Sequence, residues 1–538
     1  MINGIPPRVL KGRLDNLLGE LAILDVREQG IFAENHLLFA SNAPLSRLEI
    51  EVPRLVPRLS TQIVLCDSGD KNEDLAYRAG TLLNRCGYND VNILEGGVRG
   101  WGKEGYGLFS GINVPSKAFG EYIEETCRTP NITPEDLSSL CNSGTGVVVL
   151  DSRPASEFRR MSIPGAINVP GAELVYRIRE IAPDPKTLVV VNCAGRTRSI
   201  IGAQSLINAG LGNSVLALKN GTMGWHLAGF ELDKGKYRPG PTPSENNIEW
   251  ATNQAQRLAE RTGVNFVDWK TLLLWQKNSE AHTMYLFDVR SAEEYESGHL
   301  SGSRTAPGGQ LVQAIDTYVG TLGAQIILVD DDGVRAKTTA SWLIQMGRPN
   351  VHVLTTPISS HTLETGPEPL ELLQNEPPAS TLQVDPAMLA AQLPHQEIAL
   401  LDFADSRTYK HGHIAGAWFT VRSQIQSCLA RIPDAPEYVL TSPCGLLATL
   451  ATSDVAKHVH APVKVLSGGT QAWLKAELPL ANGSEHMATT PNDVHWLPYD
   501  HKEEEAQQEM RKYLSWETNL LPQIAHDASV KFKAILPE

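Results

Sequence analysis

The chain has 538 residues, of which 42 % are apolar and 20 % charged, with a formal net charge of −14 at pH 7. That length exceeds a single hydrophobic core, so about three to five domains are expected, and the composition is neither that of a disordered chain nor of a membrane-embedded one. The acidic balance argues against nucleic acid as a general partner, and any anionic substrate needs a local basic site to overcome it.

At the amino terminus, Met1-Ile2-Asn3-Gly4-Ile5-Pro6-Pro7-Arg8 shows no basic segment followed by an apolar one. No run approaches the roughly eighteen apolar residues of a membrane span, so no membrane partner and a soluble cytoplasmic protein are expected. Seven cysteines at irregular spacing, with no CxxC pair, suit a reducing compartment rather than a disulfide framework or a zinc ribbon.

In chain order, the first unit (1–110) has an apolar run ending at Asp25, a β-like run at 62–65 and Cys66. The loop after Cys66 runs from Asp67 to Asp74 and is rich in aspartate and glutamate, which raises a thiol pKa and opposes an anion. A helical stretch follows, then a short strand at Val91–Leu94 and a turn Gly96-Gly97 before Trp101. Residues 105–133 link onward, with a helix start at Thr133-Pro134-Glu135-Asp136. The second unit (130–232) repeats the order: Asp151, a β-like run at 188–191, a helical stretch, Val215–Leu218, and Asn220-Gly221 before Trp225.

A linker at 235–247 carries Pro239, Pro241 and Pro243. The third unit (248–356) has Asp288, Gln325–Val329 and Val351–Leu354, and a proline-rich linker at 355–380 follows. The fourth unit (380–482) has Asp402, Glu437–Thr441, Val463–Leu466, and Gly468-Gly469 before Trp473. The tail (483–538) places Met510, Tyr513, Leu514, Leu520, Leu521 and Ile524 at near-helical spacing, which predicts an amphipathic helix packed on the fourth unit or on a partner chain.

The four units are copies. Two residues after each landmark aspartate stands Arg27, Arg153 or Arg290, with Ala404 in the fourth; seven residues after it stands Phe32, Phe158, Tyr295 or Tyr409. Strands alternating with helices predict an α/β fold of small parallel sheets flanked by helices, whose ligands bind at the carboxyl ends of strands.

One loop at such an end stands out. Cys193-Ala194-Gly195-Arg196-Thr197-Arg198 lies between the 188–191 run and a helical stretch beginning at Ser199. There the thiol meets free backbone N–H groups, a helix dipole and two arginines, all favouring a thiolate and an incoming anion. A free thiol with a pKa of about 8.5 is only roughly 3 % ionised at pH 7; a drop of about two units needs ~2.7 kcal/mol, within reach of such surroundings. The alternative is a buried structural cysteine. Aligned on the helices, Asp330 of the third unit stands opposite Cys193. The fourth unit has Thr441-Ser442 there, with Cys444 displaced, and Cys66 is a possible second site.

These segments resemble the rhodanese family of sulfurtransferases, through Asp-Val-Arg, Gly412-His413-Ile414-Ala415-Gly416-Ala417, the strand–Cys-loop–helix and the Gly-Gly…Trp ending. The resemblance implies four tandem rhodanese-like domains, one convincing catalytic cysteine (Cys193), and a persulfide that passes its sulfur on. It implies a small anionic sulfur donor such as thiosulfate bound by Arg196, Arg198, Gly195, Thr197 and Ser199, and a thiol, cyanide or protein sulfur acceptor. It implies no metal or other cofactor. Phosphatases on a related fold use a longer loop with arginine six residues after cysteine. Here Arg198 is five after Cys193, which favours sulfur over phosphorus. A non-catalytic scaffold or persulfide-sensing protein is the competing reading. Asp151 and Arg153 are expected to pair structurally, and His226, His299 and His413 to serve turns and packing.

Overall fold

The computed structural model describes residues 2–144, 146–373, 381–395 and 397–536. Four small sheets follow one another along the chain, each built on five parallel strands in one order: first strand, last strand, middle strand, the strand ending at the landmark aspartate, then a two-residue strand. In the second unit these are Asn131–Ile132, Val215–Leu218, Leu188–Asn192, Val147–Asp151 and Ile167–Asn168. Alternation of apolar strands with amphipathic helices forces this: each sheet is apolar on both faces and needs helices on both. Residues 374–380 of the expected proline-rich linker, and Met1, Thr145, Gln396, Pro537 and Glu538 of the expected units and tail, lie outside the described residues.

The helices that position the site are α1 (Val114–Cys127), α2 (Thr197–Asn208), α3 (Gly221–Leu227), α4 (Gly308–Gln313), α5 (Val334–Gln345), α6 (Glu503–Thr518) and α7 (Leu520–Ile524). Among the described residues, no helix is long and apolar enough to cross a membrane.

The repeated residues do repeated work. Arg153 grips Asp151 through Nε to Oδ1 (2.9 Å) and Nη2 to Oδ2 (2.7 Å), fully buried, and Arg27–Asp25 and Arg290–Asp288 repeat the grip. With Ala404 in place of arginine, Asp402 stays buried without a cation; desolvation pushes its carboxyl up to about 7. His36, His299 and His413 stack on Phe32, Tyr295 and Tyr409 at 3.8–3.9 Å between ring centroids. Each closing tryptophan donates its indole N–H to a carbonyl six residues on: Trp101 to Gly107, Trp225 to Glu231 and Trp473 to Pro479.

The units interlock rather than hang as beads. One continuous core runs through the second and third units and includes Phe119, Leu174, Leu206, Ala251, Leu311 and Trp342. The first unit packs on the fourth, where Arg422 pairs with Glu49 (2.8 Å). Strand Thr321–Leu322 of the third unit adds antiparallel to Leu21–Asp25 of the first sheet.

The tail is where the sequence expectation needs correction. Its helix is present, but it does not pack on the fourth unit's core. Met510 and Leu514 of α6 bury against Ala194 and Met223 of the second unit, and Leu520 and Ile524 of α7 against Val114 and Ala118 of α1. The linker 105–133 contains α1, whose largely buried surface offers the apolar face that the tail requires.

Candidate active site

Strand Leu188–Asn192 delivers Cys193 to the carboxyl edge of the second sheet. Strand register fixes its counterparts, because Asp25, Asp151, Asp288 and Asp402 stand beside Cys66, Asn192, Val329 and Thr441. The residue that follows, hence the counterpart of Cys193, is Asp67, Asp330 and Ser442. Cys66 is therefore one position early. It lies within the strand with no exposed surface, and burial, then the Asp25 carboxylate, pushes its thiol well above the usual range. Cys444 is exposed, two residues past Ser442.

What the loop does is plain from the three copies without cysteine. Asp330 accepts hydrogen bonds from the amides of Gly333 (2.8 Å) and Ala336 (3.0 Å) at the start of α5. Asp67 accepts from Gly69 (3.0 Å) and Ala76 (3.2 Å), and Ser442 Oγ from Ala448 (3.3 Å). The strand-to-helix turn is thus a cradle of N–H donors that takes an oxygen acceptor, a carboxylate in two of them. The amides three and six residues after Cys193 are those of Arg196 and Ser199. Ser199 is fully buried, its Oγ is 3.6 Å from Cys193 Sγ, and its hydroxyl donates to the Arg196 carbonyl (2.7 Å).

A second helix holds the loop from behind. The amides of Thr222 and Met223 at the start of α3 donate to the carbonyls of Cys193 (2.8 Å) and Ala194 (3.0 Å). Drawing those carbonyls back leaves the loop amides for the cavity. Gly221 makes the approach possible, with φ of +56° and a position where a Cβ would sit 2.5 Å from the Cys193 oxygen. Val98 and Arg99 hold Asp67 and Ser68 in the same way, and Thr470 and Gln471 hold Ser442 and Pro443.

The expected anion-binding arginines are both present and both paired. Arg196 bonds Glu121 at 2.7 and 2.8 Å and also Glu124, on α1; Arg198 bonds Glu157 at 2.8 and 2.7 Å and the Gln310 amide oxygen at 3.1 Å. Burial alone would lower the Arg198 pKa, but the Glu157 carboxylate outweighs it and raises it; Arg198 in turn holds Glu157 below its ordinary value despite burial. Neither arginine is a free cation, because residues next to each other in sequence here reach carboxylates from elsewhere in the fold.

The cavity before Cys193 has a volume of about 350 Å³. Its lining includes Gly195, Arg196, Thr197 and Arg198 of the expected set, together with residues that sequence reasoning missed. These are Lys117 from α1, Arg160, Gln310 and Gln313 from α4, Tyr499, and Tyr513, Trp516 and Glu517 from α6. The tail thus roofs the site. Glu517, 1 % exposed, accepts from Lys117 Nζ (2.8 Å), Thr197 Oγ1 (3.2 Å) and Tyr513 OH (3.2 Å). Lys117 also bonds the Tyr513 hydroxyl, and a Cβ on Gly195 would sit 2.8 Å from Glu517. Burial, then the Glu517 carboxylate, lifts the Tyr513 phenol well above its usual range. The near-helical spacing of the tail's apolar residues announced a helix; nothing in it announced this target.

Comparison with known proteins agrees with the geometry. A model described as "Rhodanese-like domain" matches residues 10–104, 133–228 and 270–359. A crystal structure of thiosulfate sulfurtransferase from Pseudomonas aeruginosa superposes on the whole chain at 44 % identity and a TM-score of 0.94, covering 100 % of both chains. Among curated proteins, an HTH-type transcriptional regulator of Mycobacterium tuberculosis is 36 % identical over 89 residues, 16 % of this chain and 38 % of that protein. Thiosulfate sulfurtransferase of Gallus gallus is 29 % identical over 130 residues, 22 % of this chain and 43 % of that protein. The chain thus spans less than half the length of these two curated relatives.

Proposed function

The chain belongs to the rhodanese family, and from that premise we propose that it is a sulfurtransferase working through a persulfide on Cys193. In the first half-reaction the Cys193 thiolate attacks the outer sulfur of thiosulfate. The S–S bond of the donor breaks, sulfite leaves with the electron pair, and a cysteine persulfide anion remains. In the second, a thiolate or cyanide attacks the terminal sulfur, takes it away, and returns the thiolate. The scheme uses no metal or organic cofactor.

The observation that carries this reading is the cradle. Asp67 and Asp330 place a carboxylate at the cysteine's position, and backbone amides hold each of them. Burial raises both of these carboxyls, Asp330 to about 7, while the cradle amides pull the other way by favouring the charged form; the same amides would favour a persulfide anion in the copy with a thiol. Arg198 and Lys117 line the cavity, where the oxyanion end of a donor would lie. Arg196 lines the cavity too and, held by Glu121 and Glu124, also fixes the loop to α1. The first, third and fourth units, with aspartate or serine at this position, serve as frame rather than as further reaction centres.

The test is a steady-state assay with thiosulfate and cyanide on wild type, Cys193→Ser and Cys66→Ser, with mass spectrometry of donor-treated protein. Wild type and Cys66→Ser should form thiocyanate and carry one added sulfur atom on Cys193, and Cys193→Ser should do neither. Full activity in Cys193→Ser, or loss of most activity in Cys66→Ser, would sink the proposal.

A further inference from the structure

The second and third units face each other as near-equivalent halves, and the pair of sites at their junction differs at one telling position. Glu173 lies twenty-two residues after Asp151, and Gln310 twenty-two after Asp288. Each reaches across the junction to the other unit's site. Arg335, five residues after Asp330, donates to Glu173 at 2.9 Å; Arg198, five after Cys193, donates to Gln310 at 3.1 Å. The approach is allowed because the two loops meet at glycines: a Cβ on Gly309 would sit 3.0 Å from the Gly171 amide nitrogen.

Each arginine also has a carboxylate within its own unit, six residues after the landmark aspartate: Glu157 for Arg198 and Glu294 for Arg335. Arg335 is thus held by two carboxylates, beside a cradle already filled by Asp330. Arg198 is held by one carboxylate and one neutral amide, beside a cradle that ends in a thiol. The junction puts a third-unit side chain into the wall of the Cys193 cavity, and the residue it puts there is the uncharged one of the two.

We propose that Gln310 of the third unit is a specificity-determining residue of the Cys193 site, its neutral amide orienting Arg198 without adding a second carboxylate to that cation or to the anionic sulfur donor's cavity. This rests on the sulfur-transfer reading above. A carboxylate at position 310 would recreate the doubly paired arginine of the third unit and place a fixed negative charge in the donor's cavity. Repulsion then acts on the donor in proportion to its charge.

The test compares wild type, Gln310→Glu and Gln310→Met with two donors, dianionic thiosulfate and monoanionic benzenethiosulfonate, with cyanide as acceptor. Gln310→Glu should raise the KM for thiosulfate by roughly tenfold or more, and that for benzenethiosulfonate clearly less, with kcat within about threefold of wild type. Added salt should shrink the difference. Gln310→Met, neutral and of similar size, loses the hydrogen bond to Arg198 without adding charge, so it should raise the KM for both donors alike, by about fivefold, whereas Gln310→Glu separates them. A Gln310→Glu enzyme with unchanged KM, or with equal increases for both donors, overturns the inference while leaving sulfur transfer standing. A wild type that transfers no sulfur from either donor overturns the reading beneath it as well.

Discussion

Replacing Lys117 by methionine should loosen the roof of the site far more than its position on a linker helix suggests. Its ammonium is 6 % exposed and Glu517 1 %, and the two meet at 2.8 Å. The same ammonium lies 4.7 Å from the Tyr513 ring centroid and 5.5 Å from that of Trp516. Removing one member of a buried ion pair strands the other charge, at a cost of about 3–5 kcal/mol, and the lost cation–π contact adds about 1 kcal/mol. The double variant Lys117→Met/Glu517→Leu leaves no unpaired charge. It forfeits three hydrogen bonds, those Glu517 accepts from Thr197 and Tyr513 and the one between Lys117 and Tyr513, worth about 1 kcal/mol each, and regains part of that through apolar packing. Native-state hydrogen exchange on the amides of α6 reads the opening free energy directly. Lys117→Met should lower it by about 4 kcal/mol, and the double variant should recover most of the loss. If the losses of the two single variants simply add in the double, the pair does not hold the roof and the reasoning fails.

Two further outcomes follow from the geometry. Gly221→Ala should cut kcat/KM by about a hundredfold with the circular dichroism spectrum intact, since its Cβ would displace the carbonyls of Cys193 and Gly195 at 2.5 and 2.6 Å; wild-type turnover would show that the α3 clamp does not set the loop. Asp402→Asn should stabilise the protein at high pH only. Burial raises the Asp402 carboxyl to about 7, so the native state holds a proton that the unfolded chain releases above about pH 4. Its contribution is complete below about pH 4 and lost as the pH rises through 7. The variant's advantage in urea unfolding should therefore be near zero at pH 4 and reach on the order of 4 kcal/mol by pH 8. A constant difference across that range would count against the assignment.

The repeats were legible because their signals are local. An apolar run ending in aspartate, with arginine two residues on, encodes a strand and its own buried ion pair within three residues, as Asp151 and Arg153 do. The Cys193 loop was legible for the same reason. Partners were not. Arg196 and Arg198 look like a free basic pair until Glu121, in the preceding linker, and Glu157, on the short helix Ala155–Arg160, take their charges. The tail's apolar stripe is satisfied equally by any apolar face, so only the fold shows it on α1 and the Cys193 loop, with Glu517 bonding Thr197 from 320 residues away. One long-range contact did leave a trace. Gln310 stands at the same offset in its repeat as Glu173, and counting from the aspartates would have paired them.

The crossing of Thr321–Leu322 into the first sheet, together with a roof drawn from Tyr513 to Glu517, orders events during synthesis. A ribosome releasing this chain has freed Cys193 long before the residues that enclose it. The first sheet waits for a strand encoded some three hundred residues downstream, and the reaction chamber waits for a helix nearly two hundred residues later still. Fragments ending anywhere before that helix bear the reactive cysteine without its chamber, so enclosed chemistry begins only in chains translated through α6.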